Sequence, residues 1–325
     1  MAFTGIASVV YGAPDPAQAR KLFSDWGLTS VKRGKAEQVF ETGVGGEVIV
    51  RPENTAGLPS RIHEKSNFRE IIWGVSDQKH LVSLAEDLAR DRVVTLDKAG
   101  AIHTTDDNGI NIGFRVWKPA PIAKGKPTVF NQPRSRARVN TIGAAYTRAT
   151  PHRIGHAAFF VLDVKAAERF YVKRLGFWLS DRYAGGAAVF MRYAARCDHH
   201  NLFMLKSRSG HADLHHLAYE VNDVHEVFGG GLAFSRQDWA TAVGPGRHPI
   251  SSAYFWYFRN PLGGMMEYFC DPDVVTEKWQ PHNYKVNRFS EWHLADGIQV
   301  PQDMHMRPSL AMAKSINSAG TAAVL

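Results

Sequence analysis

Imidazole is unevenly placed in this chain. Of fifteen histidines in 325 residues, His63, His80 and His103 stand alone early, and the other twelve begin at His152. Imidazole binds metals and changes charge near neutral pH, so the second half is where chemistry is to be sought. His156 lies in the apolar run GHAAFFV, and His215 and His216 open HHLAYEV. His199 and His200 precede NLFML, His248 follows GPGR, and Glu267 sits in GGMMEYF. Strand alternation sorts some of these. Leu217, Tyr219 and Val221 make an apolar face, so His216 points with Ala218 to the other face, while His215 shares the apolar one. By the same parity Met265, Glu267 and Phe269 share a face. Of His199 and His200 only one can face a site, and parity with Leu202 and Met204 does not say which.

The elements around these residues repeat. Ile6–Tyr11 reads as a strand, followed by a helix over Ala17–Trp26 that stops at Gly27. Gly155–Leu162 repeats the strand, Asp163 caps a helix over Ala166–Leu175, and Gly176 stops it. Glu70–Asp77 and His216–Asp223 open two further copies, the second leading to a helix around His225. Strands over Gly109–Val116 and Gly264–Phe269 close the two pairs. The result is a βα unit repeated four times in two pairs. The triple glycine Gly229–Gly231, which lacks a phosphate-loop lysine, reads as a flexible turn.

Charge marks the boundary between the pairs. The net charge of +8 is matched by the eight basic residues from Lys118 to Arg153, a stretch with no Asp or Glu; the remaining 31 basic and 31 acidic residues cancel. Five prolines break it, so a solvated extended connector is expected rather than a nucleic-acid-binding face. The division expected is 1–117, a connector over 118–150, a second module pair over 151–288, and a tail over 289–325. No apolar run reaches 18 residues, which predicts no spanning helix. Two cysteines make no disulfide framework, in keeping with a cytoplasmic protein.

Paired modules with a histidine on the first strand of the third resemble the vicinal oxygen chelate superfamily. That resemblance implies an α+β fold of two domains, each a pair of βαβββ modules forming an open, cup-like mixed sheet. It also implies a metal triad of His156, His216 and Glu267. Two neutral imidazoles and one carboxylate on one side of a metal leave three positions open, a facial set suited to Fe(II), with Mn(II) also accommodated. Ser8, Glu70 and Ile112 fall at the corresponding places in the first pair, where Ser and Ile cannot complete such a site; one metal site per chain is expected.

A second set of residues resembles the type I extradiol ring-cleavage dioxygenases. These are the pair His199–His200 in CDHHNLFML, His248 in GPGRHPI, and Tyr257 nine residues later, with Glu267 after ten more. Trp256 departs from the family, which usually has an aliphatic residue or Phe there. The resemblance implies opening of a substituted catechol by O2, with His200 as acid–base, His248 hydrogen-bonding substrate or oxygen, and Tyr257 favouring the deprotonated substrate. It places substrate contacts at Phe190, Arg192, Trp239, Val243 and Ser251. A tail acting as an active-site cover would bring Trp292 and His293 to the substrate. The mostly apolar set favours an aryl- or alkyl-substituted catechol, with Arg192 or Arg247 as the partner of a substrate carboxylate if one exists. Small aromatic diol and O2 are the expected partners, with no nucleic acid or membrane, in a homo-oligomer, a dimer or tetramer. A hydroxyphenylpyruvate-type dioxygenase would share the triad but end in a long helix. A glyoxalase-like isomerase needs four protein ligands, and a drug-sequestering protein of the bleomycin-resistance type would have no use for the triad.

Overall fold

The computed structural model describes residues 3–122, 128–286, 288–295 and 297–298. Its strands fall into two large sheets on either side of the proline-broken segment. The first holds β1 (Phe3–Ala13), β2 (Thr29–Arg33), β3 (Gln38–Glu41), β4 (Glu47–Pro52), β5 (Phe68–Val75), β6 (Thr95–Leu96), β7 (Ile102–Thr105) and β8 (Asn111–Val116). The rest follow as β9 (Arg153–Val161), β10 (Trp178–Tyr183), β11 (Ala188–Arg192), β12 (Cys197–Asp198), β13 (Leu202–Lys206), β14 (Asp213–Glu220), β15 (Thr241–Arg247) and β16 (Tyr254–Arg259). The last are β17 (Met265–Cys270), β18 (Val274–Val275), β19 (His282–Asn283) and β20 (Trp292–His293).

The spatial orders are β2-β3-β4-β1-β5-β8-β7-β6 and β19-β10-β11-β13-β9-β14-β17-β16-β15-β20. Without the edge strands β19 and β20, the second order repeats the first. In both sheets the two modules meet through antiparallel centre strands, β1 with β5 and β9 with β14. Strands β12 and β18 form a separate pair. This is the expected α+β arrangement of paired βαβββ modules.

Each copy of the repeat is punctuated by an aspartate. Asp15, Asp77, Asp163 and Asp223 cap α1 (Pro16–Asp25), α2 (Gln78–Leu88), α3 (Val164–Glu168) and α4 (Val224–Ser235), each side chain accepting a first-turn backbone N–H. Such a cap contributes about 0.5–2 kcal/mol. The third helix differs from expectation: only its first five residues are α, and Arg169–Arg174 continues as a π-helix.

The faces of the two sheets are used differently. Val9, Ile71, Leu217, Tyr219, Met266 and Tyr268 enter one continuous core together with Leu22, Phe23, Leu81 and Phe234 of the helices. Trp26, at the end of α1, joins the halves: its ring stacks on Tyr268 at 3.6 Å and meets Tyr219, Phe234 and Phe258 edge-on. The opposite faces of the sheets line two cavities, one holding His156 and His216 and the other Ser8 and Glu70. Among the described residues no helix is long and apolar enough to cross a membrane.

Over 118–122 and 128–150 the segment carries no helix or strand, only a bridge between Gln132 and Ser135 that encloses a turn, and bends at 139–140 and 147–148. Its end is docked rather than solvated. Tyr146 donates to Asp223 at 3.0 Å and Ala149 is buried. This docking corrects the reading of Gly229–Gly231 as a turn: all three lie inside α4. A Cβ on Gly229 would fall 2.7 Å from the Tyr146 carbonyl oxygen, and one on Gly230 2.7 Å from the Ala149 Cβ. On Gly231 it would fall 2.2 Å from the ring of Trp256. The glycines let the connector and a bulky indole reach the helix backbone, and Trp256, the one departure from the family pattern, is the residue that needs the third.

An exposed helical Gly→Ala change ordinarily stabilises by up to about 1 kcal/mol. Gly231→Ala is expected to do the reverse, costing about 1–3 kcal/mol through overpacking; a lower urea midpoint than wild type is the expected result.

Candidate metal centre

Three adjacent strands position three candidate ligands. His156 of β9 is the register partner of Ala218 on β14, and Ala218 is the partner of Glu267 on β17. His216 stands two residues before Ala218, hence on the same face. Alanine in the middle of this row leaves the space between His156 and Glu267 to the ligands. The Nε2 atoms of His156 and His216 are 3.0 Å apart, and they lie 3.2 and 3.4 Å from Oε2 of Glu267. All three residues are buried.

These contacts fit a metal ion better than they fit one another. Neither Glu267 oxygen has a hydrogen-bond partner in the described structure, although a buried carboxylate is costly without one. Two imidazole nitrogens 3.0 Å apart are what right-angle ligation at about 2.1 Å requires. Burial, more than the neighbouring charges, pushes His216 well below the ordinary imidazole value, which keeps its nitrogen available as a ligand. Burial also pushes the Glu267 carboxyl up, but His156 and His248 beside it outweigh that and hold it below the usual carboxylate range.

Parity misplaces one neighbour. His215 was expected on the apolar face, but the β14–β9 register shifts between Leu214 and His216. This bulge turns His215 toward the cavity as well, with its Nδ1 2.6 Å from Nδ1 of His216. The outward nitrogen of a ligand is thereby engaged, which orients its ring.

The ligands open into a cavity of about 210 Å³ walled by Tyr183, Phe190, Phe203, Leu205, Ile250, Ala253, Phe269 and Pro272. His200, His248 and Tyr257 line it too. The structure settles the histidine pair: His200 faces the cavity with its ring centroid 4.4 Å from that of His156, whereas His199 is buried behind it. His248 Nδ1 is 2.6 Å from the Phe289 carbonyl oxygen, and its Nε2 is 3.1 Å from the Tyr257 hydroxyl. Burial first, then the charge of Glu267, keeps the Tyr257 phenol far above its usual pKa.

Of the expected substrate contacts, Phe190 and Ser251 line the cavity and four residues do not. Arg192 is buried behind the wall, donating to the carbonyls of Leu179, Ala195 and Thr276 and to the Ser180 hydroxyl. It is a structural cation, drawn inward because three carbonyls there need donors. Trp239 lies at the junction of the halves, stacked on Phe234 and donating to Asp25 at 2.8 Å. Val243 sits in β15 opposite Tyr257 and contributes no wall. His293, with Trp292, forms the edge strand β20 on β15, its ring bonded to Ser290. Arg247 pairs with Glu291 instead of lining the cavity. The residues that the tail does bring to the cavity are Arg288 and Phe289, and no spacing signal marks them. The rest of the tail, 299–325, lies outside the described residues.

The first sheet supplies an internal comparison. Ser8 and Gly113 flank Ile72 as His156 and Glu267 flank Ala218. Gly113, not Ile112 as the sequence reading had it, is therefore the counterpart of Glu267, and Ile112 belongs to the core. A one-residue error flips a strand residue to the other face. Glu70, the counterpart of His216, is bonded to His103 at 2.8 Å.

Comparison with known proteins agrees with this geometry. Residues 153–272 match the family described as the Glyoxalase/Bleomycin resistance protein/Dioxygenase superfamily. Metapyrocatechase 2 of Cupriavidus necator is 32% identical over 158 residues, 49% of this chain and 48% of that protein. The 3-methylcatechol 2,3-dioxygenase of Pseudomonas putida is 32% identical over 145 residues, 43% of this chain and 48% of that protein. The chain thus spans about half the length of the curated relatives it matches. Among solved structures, the Mn(II)-bound glyoxalase from Novosphingobium aromaticivorans aligns with a TM-score of 0.70 at 19% identity, covering 91% of this chain and 92% of that one, which is a likeness of fold.

A ligand that binds only the folded state at 100 times its dissociation constant stabilises by about 2.7 kcal/mol. Fe(II) or Mn(II) is expected to raise the melting temperature of the metal-free protein accordingly. His156→Ala and Glu267→Gln are expected to abolish that rise; an unchanged rise in both would remove the metal centre from these residues.

Proposed function

We propose that the chain, whose residues 153–272 match the glyoxalase/bleomycin resistance/dioxygenase superfamily, is an extradiol dioxygenase that opens the ring of a substituted catechol with O2. The observation that carries this reading is the convergence of six side chains on one small cavity: His156, His216 and Glu267 as ligands, with His200, His248 and Tyr257 around them. The names of the two curated relatives, both catechol-cleaving enzymes, support it. Fe(II) is the metal proposed, with Mn(II) accepted by the same donors. When bound, the metal supplies the electron transfer and open positions that let dioxygen meet a chelated diol.

The chain's own residues do the rest. The Phe289 carbonyl accepts the Nδ1 hydrogen of His248, so Nε2 accepts from the Tyr257 hydroxyl. When a diol enters, the Tyr257 hydroxyl can turn its hydrogen from His248 Nε2 to a diol oxygen anion, and that donated hydrogen bond favours the ionised diol. His200, across the cavity beside His156, takes a substrate proton and returns one to an oxygen anion later, as a general base and then acid. The aromatic walls exclude water from the anion and from the ring. They suit an alkyl or aryl substituent, which Phe190, Phe203 and Ile250 would contact. Ser251, with left-handed backbone at φ 78°, lines the cavity beside Ile250. The reading carries with it a homo-oligomeric, cytoplasmic enzyme, in keeping with two buried free cysteines.

Protein loaded anaerobically with Fe(II) is expected to take up O2 with a substituted catechol, give a yellow ring-opened product, and place both atoms of ¹⁸O2 in it. A broad catechol panel giving no uptake, with iron confirmed bound, would sink the reading. His200→Asn is expected to lower kcat about 100-fold or more while retaining iron; loss of iron would make His200 a ligand.

A further inference from the structure

Behind the cavity wall, a chain of polar groups leads from His200 to solvent. His199 and Asp181 are both fully buried, with His199 Nε2 2.8 Å from Asp181 Oδ2. On its other side, His199 Nδ1 is 3.2 Å from Nδ1 of His200. The second Asp181 oxygen accepts the backbone N–H of His282 at 2.6 Å and lies 3.3 Å from its Nδ1. The His282 side chain is 56% exposed, so this end reaches water. Phe190 and Trp279 pack edge-on against the His199 ring, leaving its two nitrogens to these polar contacts.

We propose that Asp181 and His199 form a proton relay that sets which nitrogen of His200 carries hydrogen. The reasoning follows donor and acceptor capacity. A carboxylate only accepts, so a neutral His199 carries hydrogen on Nε2 and offers a lone pair at Nδ1. His200 must then donate through Nδ1, and its Nε2 is left with a lone pair. That is the form a base needs. When His200 Nε2 takes a proton from a catechol hydroxyl, the Nδ1 proton of His200 passes to Nδ1 of His199. The substrate has lost one proton and the relay has gained one: His199 is an imidazolium held against the Asp181 carboxylate. His200 is again neutral, now with its hydrogen on Nε2, which is the form an acid needs. The reverse passage returns the proton to an oxygen anion in the cavity. A buried carboxylate with an imidazole between it and the acting group plays the orienting part that an aspartate plays in a catalytic triad. Asp181 and His199 touch neither substrate nor metal and are positioning residues.

The inference takes the identity of the substrate from the dioxygenase reading, whereas the tautomer it assigns is independent of that reading. ¹⁵N-histidine NMR of the metal-free wild type, with His200 assigned by its loss in His200→Asn, is expected to show neutral His200 protonated on Nδ1; protonation on Nε2 would overturn the relay. In the Fe(II)-loaded enzyme, Asp181→Asn and His199→Phe are expected to lower kcat on the order of 10–100-fold, with KM for the catechol and iron content within about twofold of wild type. An unchanged kcat, or a loss of iron in step with kcat, would overturn it. If neither variant folds, the wild-type spectrum decides. If the wild type itself cleaves no catechol, the dioxygenase reading falls and the NMR result still decides the relay.

Discussion

A carboxylate with no exposure and no hydrogen-bond partner among the described residues organises the second half of this molecule. Glu267 would be a severe defect if its surroundings were apolar. It is tolerable because His156, His216 and His248 place ring nitrogens within 3.6 Å of it, and because a cation placed there would satisfy all of them together. Much of the local architecture serves that meeting. Ala218 keeps the row between His156 and Glu267 open. Gly155 makes room for Phe269, whose ring atom would lie 2.3 Å from any Cβ at that position.

Around the ligands, imidazoles are paired with partners that fix their hydrogens. His216 meets His215, His248 meets Tyr257 and the Phe289 carbonyl, and His200 meets His199 backed by Asp181. In an apolar pocket, where water cannot fill a missing hydrogen bond, such pairing orients a ring and selects its tautomer. The same low-dielectric setting keeps His200 and His216 neutral, chiefly through burial, so both are available as lone-pair donors. Of these partners, His215, Tyr257 and Phe289 line the cavity themselves, whereas His199 and Asp181 stand behind its wall.

The two halves show what happens to one fold with and without this demand. Their strand orders coincide, and Trp26 ties them into one core by stacking on Tyr268. In the first half Ser8, Glu70 and Gly113 occupy the ligand positions, and Glu70 has found His103 instead. The fold is therefore stable without ligands at these positions.

The sequence by itself showed the repeat, Asp163 as a helix cap and a basic, proline-broken segment, and through its family resemblance it offered His156, His216 and Glu267 as a candidate triad. Those features are local or periodic: strand alternation, an aspartate before a helix, a fixed spacing from His248 to Tyr257 to Glu267. What it misjudged depended on neighbours distant in the chain. Gly229–Gly231 looks like a turn until Trp256 and the docked connector are seen to require it inside a helix. Arg192 looks like a substrate ligand until three carbonyls are found around it. A bulge at His215 and a one-residue offset at Gly113 are invisible to alternation, because register is fixed by pairing and not by pattern. The family resemblance named His200, but the burial of His199 and Asp181 behind it took the tertiary structure. A partner 18 residues away along the chain, reached only across a strand pair, leaves no mark in spacing.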